Sequence, residues 1–189
     1  MKRTYPLHIP LAGTPAEEIF MRQQDEISCG PACLATVANL YHAIGLATGS
    51  EKALKTYDDF RAAARPSEEV GTPEETIIDL CEKHLPCESA GAASYHGGVA
   101  IADIMQGGEG HYVVFLKQKD DLILYYDPYE HELVIDKMAN VDWQSGFEKT
   151  KQWSVNFTEF SNNSFERWLD MAEKTAPPPP GRRPPRAPY

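Results

Sequence analysis

Gln23-Gln24-Asp25-Glu26-Ile27-Ser28-Cys29-Gly30-Pro31-Ala32-Cys33-Leu34 decides how the rest of the chain is understood. Beyond Cys29, the residues Cys33, Val37, Leu40 and Ile44 recur at helical spacing among alanines, which predicts a helix over Cys29–Ile44. Gly30 suits an unusual backbone and Pro31 suits a first helical turn. The N–H groups at a helix start have no intrahelical partner and, together with the macrodipole, favour an anion. A thiol placed there is drawn toward its nucleophilic form, and the same N–H groups can face an oxyanion once an acyl group is attached. Cys33, one turn further on within the apolar stripe, reads as a small core residue.

A thiol nucleophile needs a base, and histidine is the usual one. The chain has six. His8 on a presumed surface strand, His42 and His84 on helices, His96 in a loop and His131 near a turn read as structural or solvated. His111 differs because it has a partner. It opens the run His111-Tyr112-Val113-Val114-Phe115-Leu116, and Asp127-Pro128 closes the next strand sixteen residues on. A three-residue loop at Gln118-Lys119-Asp120 would set Phe115 opposite Ile123, Val113 opposite Tyr125 and His111 opposite Asp127. The even separation keeps both side chains on one face, so the carboxylate can hold one ring nitrogen and aim the other at the thiol.

Around these residues the chain reads helices first and strands later. A second helix is predicted over Glu51–Ala64. A third is predicted to start with Thr72 as N-cap, Pro73 in the first turn and Glu75 closing a capping box, with Ile77, Ile78, Cys81 and Leu85 buried. A Gly/Ala/Ser-rich loop is expected over Glu88–Gly98. Val99–Met105, His111–Lys117, Asp121–Asp127 and Glu132–Lys137 read as strands, with a further strand at Gln152–Phe157 and a last helix at Phe165–Lys174. Helices followed by an antiparallel sheet make an α+β domain.

Composition sets the outer bounds. With 189 residues, 42% hydrophobic and 24% charged, the chain can build one ordinary domain. A net charge of −10 argues against a sequence-neutral grip on nucleic acid. No apolar run nears the roughly 20 residues of a bilayer span, and the N-terminus lacks a signal-like apolar core, so a cytoplasmic, reducing setting is expected. Residues 176–189 hold seven of the fifteen prolines and three arginines without an acid, leaving −13 over residues 1–175. That tail is expected to be disordered and polyproline-like, and Arg182, Pro185 and Pro188 have a spacing that proline-groove domains can read, with no partner specified.

Gln23, six residues before Cys29-Gly30-Pro31-Ala32-Cys33-Leu34, resembles the active-site signature of the bacteriocin-processing double-glycine peptidases, a papain-like family. His111 at a strand start and Asp127-Pro128 after the next strand match the same pattern, so the resemblance spans roughly residues 20–140. It implies a papain-like peptidase domain over residues 1–175. Cys29 would be the nucleophile, His111 the proton carrier, Asp127 its orienter and Gln23 the oxyanion donor, with Gln24 a rival one position on. It further implies a bacterial thiol protease that needs no metal or organic cofactor and acts on a peptide or protein, such as a leader peptide cut after two glycines. Many family members are domains of export transporters; this chain would be a stand-alone member. The same residues would also serve deamidation or transpeptidation, and a docking module could retain the motif without turnover.

Two weaker patterns are read structurally. Cys81, His84 and Cys87 offer three soft ligands, but structural zinc takes four and Cys81 belongs to the core stripe. Gly97-Gly98 and Gly107-Gly108 read as loop glycines before strands rather than as self-cleavage sites.

Overall fold

The computed structural model describes residues 4–14, 16–43, 56–85, 87–90 and 99–150. Along the chain these form β1 (Leu7–Pro10), α1 (Cys29–Ala43), α2 (Tyr57–Ala64), α3 (Glu74–His84), β2 (Cys87–Ala90), β3 (Ala100–Gln106), β4 (Glu109–Lys119), β5 (Leu122–Asp127), β6 (Glu132–Lys137) and β7 (Asp142–Thr150). The strand at Gln152–Phe157, the helix at Phe165–Lys174 and the Pro/Arg-rich tail lie outside the described residues.

The strands make one antiparallel sheet in the order β1-β6-β5-β4-β3-β7-β2. Alternation along its central strands splits the apolar residues into two sets. Ile101, Val114, Leu124, Tyr126, Leu133 and Ile135 face the helices and join Leu34, Val37, Leu40, Phe60 and Ile77 in the larger core. Ala102, Ile104, Val113, Phe115, Ile123, Tyr125 and Val134 form a second core on the other face, with Trp143 packed against Phe115. Burial on both faces explains why β4 and β5 read as nearly unbroken apolar runs. Helices packed on an antiparallel sheet give the α+β class expected from the sequence.

Several boundaries differ from expectation for identifiable reasons. The second helix begins at Tyr57, where Thr56 and Asp59 form a capping box. The third begins at Glu74 with Pro73 as N-cap and without a side-chain cap bond, so the expected Thr72–Glu75 box does not form. Thr72 is 3% exposed and turns inward instead, its hydroxyl without a hydrogen-bond partner among the described residues. The reason is Gly30. A Cβ built on Gly30 would lie 2.8 Å from Ile77 Cδ1 and 3.0 Å from both Thr72 Cβ and Oγ1. Gly30 is therefore required for close approach of α1 to the start of α3, and not for an unusual backbone, since it lies outside the left-handed region.

Gly30→Ala should accordingly destabilise the fold although alanine is the better helix former. The expected loss is about 1–3 kcal/mol, the scale of overpacking a filled core. An unfolding midpoint equal to that of the unmodified chain would contradict this.

Part of the expected loop at Glu88–Gly98 is strand β2, which pairs with β7. Strand β7 has no sequence signal, because Asp142-Trp143-Gln144-Ser145-Gly146 carries no apolar alternation. Gly107 and Gly108 form the two-residue turn between β3 and β4, with φ of 67° and 95° that glycine adopts readily.

The β4–β5 hairpin departs from simple pairing. Its turn has two residues, Asp120 and Asp121, not the expected three, and Asp120 takes a left-handed φ of 55°. Lys119, Gln118 and Lys117 pair with Leu122, Ile123 and Leu124; the register then slips by one, pairing Phe115 with Tyr125 and Val114 with Tyr126. Leu116 is the extra residue of a bulge. The shorter turn alone would have put His111 and Asp127 on opposite faces, and the bulge restores their common face. Continued in register, Asp127 falls opposite Val113 rather than His111, so the two meet diagonally.

Candidate active site

Helix α1 opens at Cys29. The Ser28 carbonyl accepts the first intrahelical bond, from the Ala32 N–H at 3.1 Å, and Pro31 has no N–H. The N–H groups of Cys29 and Gly30 therefore lie outside the helical ladder, beside the Cys29 thiol. Cys29 is 8% exposed, whereas Cys33 and Cys81 are at 0% and 1%.

His111 reaches this helix start from β4. Its Nε2 lies 2.9 Å from Asp127 Oδ1, and the ring also hydrogen-bonds with Cys29. With Nε2 committed to the carboxylate, Nδ1 is the nitrogen left for the thiol. Burial disfavours a charged ring here, but the hydrogen bonds and charges of Asp127 and Cys29 outweigh it and lift His111 to about 9. Asp127 shows the converse balance. Its burial favours the neutral acid, yet His111, the Tyr129 N–H and Gln106 hold it below the ordinary carboxylate range.

The Asp127 carboxylate is tightly bound. Oδ1 accepts from His111, from the Tyr129 N–H at 2.8 Å and from the Glu130 N–H at 3.4 Å; Oδ2 accepts from Gln106 Nε2 at 3.2 Å. Gln106 was not singled out in the sequence, and nothing in its local pattern would have marked it, because it meets Asp127 across an intervening strand.

Gln23 is 7% exposed, and its neighbour Gln24 is exposed. Of the two candidates, Gln23 is the buried one. Its Nε2 donates to the Asp25 carbonyl at 2.8 Å, which leaves the second amide proton available, while Oε1 is buried without a partner among the described residues. The loop around it is braced on two sides. Its Gln23 N–H donates to the Pro128 carbonyl at 3.0 Å, directly after Asp127. Asp25 accepts from Arg61 Nε at 3.1 Å and from the Ile27 N–H at 3.3 Å, and the Tyr57 hydroxyl donates to Ser28 Oγ at 2.7 Å. Asp25, Ser28, Tyr57 and Arg61 are supports that sequence reasoning missed; an acid two residues after the glutamine was the only local sign of them.

His8, His84 and His131 are engaged elsewhere. His8 Nδ1 meets Glu132 on the β1–β6 edge, His84 packs edge-on against Phe60, and His131 Nδ1 bonds with the Tyr126 hydroxyl at 2.8 Å. His96 lies outside the described residues. Of the three soft ligands considered, Cys81 is buried in the larger core.

This arrangement places a sulfur, an imidazole and backbone donors within one small space. Alkylation by iodoacetamide at neutral pH should modify Cys29 well before Cys33 and Cys81. Burial, with the charges of Cys29 and Asp127, pushes the Cys33 thiol well above its ordinary range. Peptide mass mapping that found Cys33 labelled first would remove the case for a selective nucleophile.

No protein-family model matches the chain, and no curated protein sequence does either. Solved structures do. The peptidase domain of Streptococcus ComA, a bifunctional ABC transporter involved in a quorum-sensing pathway, aligns at a TM-score of 0.52 and 19% identity, over 69% of this chain and 97% of that one. A double-glycine motif protease from an AMS/PCAT transporter, solved in complex with its leader peptide, aligns at 0.51 and 17%, over 69% and 90%. The chain shares the papain-like α+β fold of these double-glycine peptidase domains.

Proposed function

From that shared fold and the hydrogen-bonded series Cys29–His111–Asp127 at the start of α1, we propose that the chain is a cysteine peptidase that cuts after a double-glycine-type leader sequence. The series carries the reading, since a buried imidazole held between a carboxylate and a thiol, beside helix-start N–H groups outside the helical ladder, supplies the base, orienter and nucleophile that acyl transfer needs.

In the proposed reaction Cys29 Sγ attacks the scissile carbonyl carbon and the carbonyl oxygen becomes an oxyanion. The Cys29 N–H and the second amide proton of Gln23 stabilise that charge. His111, protonated at neutral pH, gives its Nδ1 proton to the leaving amine as the C–N bond breaks, leaving a thioester on Cys29. It then takes a proton from water, whose oxygen attacks the thioester and releases the carboxylic acid and the Cys29 thiolate, restoring the thiolate–imidazolium pair from which the cycle began. Asp127 holds the ring throughout. The steps use only protein groups and water.

Preference for Gly-Gly on the acyl side would follow from a narrow approach in which a Cβ collides with the walls. Since glycine is entropically costly to immobilise, binding energy would have to come from the leader further upstream. The test pairs two leader peptides that differ only in Gly-Gly against Val-Val before the cut, with the Cys29→Ala protein as control. Cleavage of the first alone, with an acyl adduct on Cys29 by mass spectrometry, is expected. Equal cleavage of both would sink the double-glycine specificity, and cleavage that survives Cys29→Ala would sink the peptidase mechanism.

A further inference from the structure

We propose that Gln106 is a positioning residue for the Cys29–His111–Asp127 series, locking the Asp127 carboxylate through Oδ2 so that Oδ1 stays on the His111 ring. The proposal rests on the peptidase reading above for its kinetic consequences, but not for its geometry.

Gln106 is the last residue of β3, and Asp127 the last of β5; β4 lies between them. Adjacent strands are about 4.8 Å apart, so the Gln106 side chain must cross roughly twice that distance to reach its partner. It starts well placed. Ile104 pairs with His111 and Gln106 with Glu109, so Gln106 shares the face of His111 as its diagonal neighbour. The Gly107-Gly108 turn ends the strand immediately after it. The amide then passes over β4 and donates to Asp127 Oδ2 at 3.2 Å.

The division of acceptors on Asp127 is informative. Oδ1 takes His111 and two backbone N–H groups, whereas Gln106 is the one donor to Oδ2 among the described residues. Asp127 is 2% exposed, so water is poorly placed to substitute. Without Gln106 a buried carboxylate oxygen is left unpaired, and the carboxylate can rotate to satisfy it at the expense of the His111 bond. A neutral amide is also the suitable donor. It fixes the carboxylate without cancelling the negative charge that keeps the ring protonated, as an arginine or lysine would.

Two substitutions test this. Q106M retains length and volume but removes the donor. Its kcat should fall about ten-fold, the scale of one charge-assisted hydrogen bond, with KM changed less than about two-fold. Independently of turnover, the NMR titration midpoint of His111 should drop by about one pH unit. Q106E should be rescued by acid. Protonated, its O–H can donate to Oδ2; ionised, it repels Asp127, so activity falls as pH rises over a range where the unmodified protein holds steady.

Unmodified kcat and His111 titration in Q106M would overturn the proposal, as would a Q106E profile parallel to that of the unmodified protein. A Q106M chain that loses its fold would make Gln106 a structural residue and overturn it as well. A wild-type protein that cleaves no peptide would instead defeat the peptidase reading, and the His111 titration would still decide the role of Gln106.

Discussion

His111→Ala is expected to lower peptide turnover by about 10²–10⁴-fold, the usual contribution of a positioned acid–base group. The fold should survive, because Asp127 keeps its bonds to the Tyr129 and Glu130 N–H groups and to Gln106. The unmodified protein provides a matching pH signature. The ring must be protonated to supply the leaving amine, and it loses that proton near 9, so kcat/KM should decline on the alkaline side around that pH. Stability follows with the same sign. Because the folded ring binds its proton more tightly than its ordinary value of 6.5 provides, its contribution is complete below pH 6.5 and is lost as pH rises through about 9. Urea midpoints at neutral and alkaline pH would register the change. A His111→Ala protein of near-normal rate that still required Cys29 would exclude His111 as the base.

Asp127→Asn should separate geometry from charge. Asparagine can still accept from His111 Nε2 and from the Tyr129 N–H, so the ring stays in place. Its amide nitrogen, however, would face Gln106 Nε2, donor against donor, unless Gln106 turned its own amide over. The negative charge is lost in either case, and the alkaline limb should move down by about 1–3 units, the reach of a single neighbouring charge. The loss of rate should thus be greater at pH 8 than at pH 6. Asp127→Ala goes further, removing the acceptor of the buried His111 ring and of the half-buried Gln106 and Tyr129 donors, and should destabilise the fold as well. An asparagine variant with an unshifted limb would show that the carboxylate only holds the ring and does not sustain its charge.

How much the sequence disclosed depended on how local each interaction is. Cys29 at a helix mouth was legible because nucleophile, glycine, proline and apolar stripe are contiguous. His111 and Asp127 were legible as candidates through the parity of their separation, but their register was not. Turn length and bulges depend on packing on both faces of the sheet, and here two departures from simple pairing compensated. Thr72 has the sequence pattern of a cap but is buried; an N-cap hydroxyl and a buried threonine look alike until the neighbour, Gly30, is located in space. Gln106 was invisible: its partner is 21 residues away and two strands over. Strand β7 lacked a signal because its polar residues alternate with no apolar set.

The bulge at Leu116 also governs how this hairpin could drift in length over evolution. Whether the imidazole and the carboxylate share a face depends on the parity of the paired residues between them, with one unit of that count already spent at Leu116. Gain or loss of a single residue within the paired segments would turn one partner to the opposite face and disconnect the two. Changes by two would conserve the face while lengthening or shortening the arm. Related hairpins should therefore vary here in even steps, or lose the bulge and gain a turn residue together. Anyone transplanting this arm to another scaffold would have to carry Leu116 and the Asp120-Asp121 turn as one unit.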